Sequence, residues 1–235
     1  MIFLTVTFII PLVIAAYYLL RKLNMLYRPK EYSIDFIKSL IPEEEFELKS
    51  FKVETKDGFI LTTFRVRHKK KHNKHLNPVF MQHGFGNSAA CWMVGGPHQS
   101  PALIIAGMGY DVYLGNCRCS VFSVDHATMK PWHPDYWVQS FQTMKYDIMA
   151  NINEIYERVG ERIIYAGISQ GAITWIGAMA DPERDVADEI ADKLERTVLF
   201  APVGYTVSLL IILVGLGGFF MSLYFFLKDF WSGLN

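Results

Sequence analysis

The stretch that most constrains the fold of this chain is residues 163–176, IIYAGISQGAITWI. Its first part, Ile163 to Ala166, is an apolar run with the length of a buried strand, and Ala172 to Ala180 favours a helix. Between them lies a G-x-S-x-G turn centred on Ser169. This order of strand, sharp turn and helix predicts a nucleophile elbow, which holds a serine at the rim of a parallel sheet. An ordinary glycine-rich turn is the alternative.

Four positions in this turn have defined roles in the prediction. Gly167 and Gly171 lack a Cβ atom, so the strand and the helix can pack closely on either side of Ser169. The backbone N–H of Gln170 would donate to the oxyanion of an acyl intermediate. We therefore expect Ser169 to be a nucleophile and Gln170 to supply one N–H group of an oxyanion hole.

The second candidate element of the site is His83-Gly84-Phe85, which follows the apolar run from Pro78 to Gln82. In hydrolases a His-Gly pair at this point supplies the other oxyanion-hole donor, here the backbone N–H of Phe85. Gly84 would let the backbone approach a substrate closely. We expect His83 to be structural and not catalytic.

Strand patterns and helix patterns alternate over residues 51–204. A hairpin pattern spans Phe51 to Val66, and buried-strand runs follow at Tyr110 to Leu114 and Thr197 to Phe200. Apolar residues at spacings of three and four predict one long helix from Phe141 to Val159. The predicted fold class is α/β, with a mostly parallel sheet, helices on both faces and the site at the carboxyl ends of the strands.

Charge and cysteine content argue against several functions. The formal net charge is zero, so no nucleic-acid partner is expected. Cys91, Cys117 and Cys119 form neither a disulfide framework nor a strong zinc pattern. The basic, histidine-rich segment from Arg65 to His75 predicts a solvated loop, with an anionic-lipid patch or a metal site as the alternative. We expect no cofactor and no metal.

Two long uncharged stretches flank the predicted core. Residues 2–20 predict a retained membrane anchor, with a cleaved signal peptide as the alternative, and the basic residues after them favour a cytoplasmic or matrix side for the core. Residues 205–227 predict a second span or an apolar cap helix over a lipid-binding cleft. The predicted plan is an anchor at 1–22, a linker with a short helix at 23–50, a partial core at 51–204, a hydrophobic segment at 205–228 and a tail at 229–235.

Several stretches together resemble one family. They are DGFIL at 57–61, QHG at 82–84, GYDVYLGN at 109–116, MKYD at 144–147, GISQG at 167–171 and LFAPV at 199–203. In this order and spacing they resemble the acid lipase family of α/β-hydrolases, which includes gastric lipase, lysosomal acid lipase and steryl-ester hydrolases. The resemblance covers roughly residues 35–204. It implies an α/β-hydrolase fold and hydrolysis of triacylglycerols or steryl esters by Ser169, with oxyanion N–H groups from Phe85 and Gln170.

The chain departs from that family's pattern at three points. Ile168 stands where the family usually has a histidine, and Cys119 stands where a glycine usually follows Arg118. The family's triad continues with an aspartate and a histidine far downstream, whereas all seven histidines of this chain precede Ser169. A serine without a base keeps little nucleophilicity. The last two strands of the family's sheet are also missing, which leaves a sheet edge to be covered.

Three functions follow from these observations. The first is a membrane-anchored lipase or esterase whose missing Asp and His come from elsewhere. The second is a catalytically dead pseudoenzyme that serves as a structural subunit of a membrane protein complex, with other subunits covering the open edge. The third is a lipid-binding module that keeps the cleft without hydrolysis. Membrane lipid is the expected partner in each, in a secretory, lysosomal or other organellar membrane.

Overall fold

The computed structural model describes residues 34–202. Its strands are β1 (Phe46–Glu54), β2 (Phe59–His68), β3 (Val79–Gln82), β4 (Val112–Gly115), β5 (Asp125–His126), β6 (Ile163–Ile168) and β7 (Leu194–Phe200). Its α-helices are α1 (Ile34–Ser39), α2 (Pro101–Gly107), α3 (Phe141–Val159), α4 (Gln170–Ala180) and α5 (Asp185–Ile190). Short 3₁₀ helices lie at 89–92, 134–137 and 191–193.

The strands form one mixed sheet in the order β1-β2-β4-β3-β6-β7, with β5 beside β2. Strands β4, β3, β6 and β7 are parallel, while β1 and β2 form an antiparallel hairpin that joins the sheet at β4. In the register, Gln82 pairs with Gly115 on one side and Gly167 on the other. The carboxyl ends of β3, β4 and β6 therefore meet at one edge, here called the carboxyl edge.

Helices cover both faces of the parallel strands. On one face Val79 and Met81 of β3 pack in a cluster with α1 and α2, and on the other face Phe80 packs with α3, α4 and α5. This alternation follows from the two-residue period of a strand, and burial on both faces explains why these strands are apolar throughout. The predicted α/β architecture with helices on both faces is confirmed.

Two predicted boundaries were wrong. Strand β1 begins at Phe46, inside the predicted 23–50 linker, because polar residues that face solvent hide its period. Strand β2 extends to His68, so Arg65 and Arg67 are strand residues and not part of a loop. Arg65 is bonded to Asp111 with Nε–Oδ1 at 2.7 Å, and this ion pair fixes its position next to β4.

The two predicted membrane spans, at 2–20 and 205–227, lie outside the described residues. Between residues 34 and 202 no helix has both the length and the apolar character to cross a bilayer.

Candidate active site

Ser169 lies alone between the end of β6 and the start of α4, at the carboxyl edge. Its backbone has φ 51° and ψ −112°, a conformation that residues with a side chain rarely adopt. Its N–H donates to the carbonyl oxygen of Phe200 at 2.9 Å, and its carbonyl accepts from Ile173 at 3.0 Å. Within residues 34–202 its hydroxyl forms no hydrogen bond, and the residue is half-buried.

Close packing around this turn leaves no room for a Cβ atom at either glycine. A Cβ at Gly167 would lie 2.9 Å from the carbonyl carbon of Gly171, and one at Gly171 would lie 2.7 Å from the carbonyl oxygen of Gln82. The hydroxyl of Tyr165 donates to the carbonyl of Gly171 at 2.8 Å across the turn. The close packing of both glycines and the Tyr165 hydrogen bond hold the strained backbone of Ser169 in place.

The loop after β3 runs alongside the serine. A Cβ atom at Gly84 would lie 3.1 Å from Cβ and 3.6 Å from Oγ of Ser169. Phe85 comes next in this loop, and its side chain is 84% exposed. The structure thus brings together the loop that carries the Phe85 N–H group and the turn that carries the Gln170 N–H group. Backbone N–H groups next to an attacked carbonyl stabilise the oxyanion of acyl transfer, and these two segments are the candidates to supply them.

His83 supports this loop from inside the protein. Its Nδ1 lies 2.7 Å from the carbonyl oxygen of Gly84, and its Nε2 accepts the backbone N–H of Cys117 at 3.2 Å. Burial lowers the pKa of His83, which keeps the ring neutral. Since both ring nitrogens are engaged, His83 is a structural residue and is not a base for Ser169.

The other six histidines have no hydrogen bond to Ser169 either. Nδ1 of His68, of His126 and of His133 accepts a backbone N–H from its own loop. All seven histidines of the chain lie within the described residues. In residues 34–202 no group of three or more His, Cys, Asp or Glu side chains is placed to hold a metal ion.

A buried ion network supports the loop after β4, and its residues were not among the predicted site residues. The Arg118 side chain is fully buried; its Nη1 bonds Asp57 at 2.6 Å and its Nε bonds Asp147 at 2.7 Å. Burial raises the pKa of Asp147 despite the opposing charge of Arg118. At Asp57, burial also acts to raise the pKa, but hydrogen bonds from Arg118 and Thr55 outweigh it and lower the value.

A signal for this network was present in the sequence. Asp57 and Asp147 both lie in stretches that carry the family resemblance, and Arg118 lies two residues after the end of another, at Asn116. Cys119 comes next, at φ 61°. Glycine adopts this left-handed conformation without the strain that a side chain adds.

A largely parallel sheet that presents a strained serine at a strand-to-helix turn, beside a loop of backbone N–H groups, defines the class of α/β-hydrolases. Residues 37–96 match the family described as "Partial alpha/beta-hydrolase lipase region". Lipase member K of Homo sapiens is 38% identical over 168 residues, which cover 69% of this chain and 39% of that protein. Gastric triacylglycerol lipase of Mus musculus is 38% identical over 167 residues, 69% of this chain and 40% of that protein.

The chain belongs to the acid lipase family of α/β-hydrolases. It spans about two fifths of the length of the curated relatives it matches. Among solved structures, a hypothetical protein from Pseudomonas aeruginosa is similar with a TM-score of 0.50 at 16% identity, over 68% of this chain and 44% of that one. That likeness concerns the fold alone.

Proposed function

We propose that this chain carries the nucleophile half of a lipase that hydrolyses carboxylic esters of neutral lipids. The observation that carries the proposal is the strained backbone of Ser169 beside the Gly84 loop. Strain of this kind costs about 1–3 kcal/mol and persists at functional sites, where the surrounding structure holds it. The proposed substrate is a triacylglycerol or a steryl ester, and the name of one relative, gastric triacylglycerol lipase, supports the first of these.

In the proposed reaction the Ser169 oxygen attacks the ester carbonyl and forms a tetrahedral intermediate. The N–H groups of Phe85 and Gln170 stabilise its negative oxygen. The serine proton passes to a general base and then to the leaving alcohol, and water later releases the acyl group by the same route. No histidine of this chain is placed to be that base, so the reaction needs an imidazole from elsewhere and the chain alone turns over slowly.

A fluorophosphonate probe tests the nucleophile directly. We expect slow labelling of the native chain at Ser169, which the Ser169→Ala variant and prior unfolding both abolish. Ser50 is an exposed serine on β1, so the Ser50→Ala variant is a matched control and keeps the label. If a full-length relative is labelled under the same conditions and this chain is not, the proposed nucleophile is wrong.

A second candidate function is a structural subunit of a membrane assembly, held by the apolar stretches at 2–20 and 205–227. Two observations favour it: Ser169 has no histidine partner, and among residues 34–202 strand β7 forms one end of the sheet, with Glu195 to Val198 exposed. Other protein subunits would then cover β7. Purification in mild detergent should give a stable assembly larger than one chain, and a well-folded monomer would exclude this function.

A further inference from the structure

Four large apolar side chains are exposed close together in sequence, just before α3 and at its first residue. They are here called the aromatic rim, and each is more than half exposed: Trp132, Trp137, Val138 and Phe141. Monomeric soluble proteins rarely expose several such side chains next to one another, and a patch of this kind usually marks a binding surface.

Contacts at the start of α3 place the aromatic rim beside Ser169. The side-chain N–H of Gln170, the residue after the serine, donates to the sulfur of Met144 with the two atoms 3.4 Å apart. Met144 and Phe141 are three residues apart on α3, so they lie on one side of the helix. The first turn of α3 is therefore at the carboxyl edge, and the rest of the helix leads away toward the start of β6.

Buried contacts hold the aromatic rim in its exposed position. Tyr136 is fully buried, and its ring packs against that of Trp137 with the two centroids 5.0 Å apart. The ring N–H of Trp137 donates to the carbonyl oxygen of Pro131, the neighbour of Trp132, at 2.6 Å. The exposed rings thus stand on a segment that is fixed from inside. A surface that is already ordered loses little conformational freedom when it binds.

The composition of this surface fits a lipid bilayer. Between residues 124 and 142 the charged side chains are those of Asp125, Lys130 and Asp135, so the segment has no basic cluster to attract an anionic ligand. Tryptophan is enriched where membrane proteins meet the boundary between water and hydrocarbon, because its ring is apolar and its N–H is polar.

The point at which the chain leaves the described residues supports the same partner. Strand β7 is parallel to β6, and Phe200 pairs with Ile168 at the carboxyl edge. Pro202 follows, and the uncharged residues 205–227 begin within about 10 Å of extended chain. Their length is sufficient to span a bilayer, as the sequence predicts. A bilayer that receives this segment would lie next to the carboxyl edge.

We infer that the aromatic rim rests in the interface of a neutral phospholipid bilayer, with the carboxyl edge and Ser169 turned toward the membrane. Burial of apolar surface drives this contact, so it depends little on salt or on anionic lipid. The inference adds an orientation to the proposed function and does not depend on ester hydrolysis. Its outcome is therefore separate from that of fluorophosphonate labelling.

Two fluorescent labels on α3 test this orientation. Gln142 and Glu157 are both exposed, and at the rise of an α-helix they lie about 22 Å apart along its axis. The variants Gln142→Cys and Glu157→Cys each provide one exposed thiol for a maleimide fluorophore. Burial raises the pKa of all three native thiols, so the introduced thiol reacts first.

The full chain is reconstituted in phosphatidylcholine vesicles, in which part of the lipid carries a nitroxide on its acyl chain. The emission of the label at 142 should shift to shorter wavelength and be quenched, while the label at 157 should show neither effect. Adding sodium chloride should leave the quenching unchanged. Equal quenching at both positions, or a shift at 142 without quenching because protein covers it, would overturn the inference.

A matched pair of variants separates the aromatic rim from the exit of the chain. Trp132 and Met108 are both largely exposed, but Met108 follows α2 and precedes β4, at the opposite edge of the sheet. In the labelled Gln142→Cys chain, Trp132→Ser should reduce the quenching and Met108→Ser should not. If quenching is the same in both variants as in the labelled parent, the aromatic rim does not contact lipid and the inference is wrong.

Discussion

An alanine at Gly171 and an alanine at Gly177 should change stability in opposite directions, although both glycines lie in α4. A Cβ atom at Gly171 would lie 2.7 Å from the carbonyl oxygen of Gln82 and 3.0 Å from that of His83. Both neighbours are backbone atoms of β3 and its continuation, so relief requires α4 to move away from the sheet. At Gly177 a Cβ atom would meet nothing within 4 Å.

The magnitude follows from these contacts. Overpacking in a well-packed region costs about 1–3 kcal/mol. In a helix interior alanine is more stabilising than glycine by about 0.5–1 kcal/mol. Gly171→Ala should therefore lower the free energy of unfolding by up to about 2.5 kcal/mol, whereas Gly177→Ala should raise it by about 0.5–1 kcal/mol.

Urea unfolding of the full chain, followed by tryptophan fluorescence, measures both effects. The two midpoints should lie on opposite sides of the midpoint of the unaltered chain, with equal slopes. Shifts in the same direction would refute the claim that close approach of β3 and α4 requires a glycine at 171.

Three further predictions concern strain and charge. Ser169→Gly should be more stable than Ser169→Ala by about 1 kcal/mol in urea unfolding, because only glycine relieves the positive φ; equal stability would contradict this. Cys119→Gly should raise the melting temperature for the same reason, since residue 119 has φ 61°, and a fall would show that the packing of the half-buried thiol contributes more to stability than relief of the strain. The pKa of Asp57 is lowered in the folded chain, so its charge stabilises the fold fully above the pKa of an unfolded aspartate. This stabilisation is lost as the pH falls through the lower pKa of the folded state. The Asp57→Asn variant should therefore be less stable at neutral pH and lose less stability on acidification than the unaltered chain. If the free energy of unfolding of both proteins falls equally as the pH is lowered, Asp57 does not stabilise the fold through its charge.

The elbow could be predicted from sequence because its information is local. A short apolar strand, two glycines and a helix-favouring segment follow one another within residues 163–180. The structure has β6, Ser169 and α4 in that order. The parallel strands were recognisable for a similar reason, because burial on both faces makes them apolar throughout.

The Arg118 network could not be predicted in this way because its members are distant in sequence. Arg118 lies 61 residues from Asp57 and 29 residues from Asp147, and the pairing depends on the hairpin turn and α3 meeting at one place. Composition predicts that such charges are exposed, yet this arginine is fully buried. The start of β1 was missed because the alternation of a half-exposed strand is weak when its polar residues include Lys49 and Ser50.

The side from which a base must approach Ser169 follows from the sheet order. Strand β6 has β3 on one side, with the loop that carries Phe85, and β7 on the other. The N–H of Ser169 is bonded to Phe200 at the end of β7, so the serine sits against that strand. General base catalysis needs the proton acceptor within hydrogen-bond reach of the hydroxyl without displacing the oxyanion donors. Because the Phe85 loop follows β3, we expect an imidazole that completes this site to arrive on the β7 side, at the same sheet edge that another subunit would cover in the proposed structural role. We therefore expect the identity of a group bound at β7 to distinguish the two proposed functions.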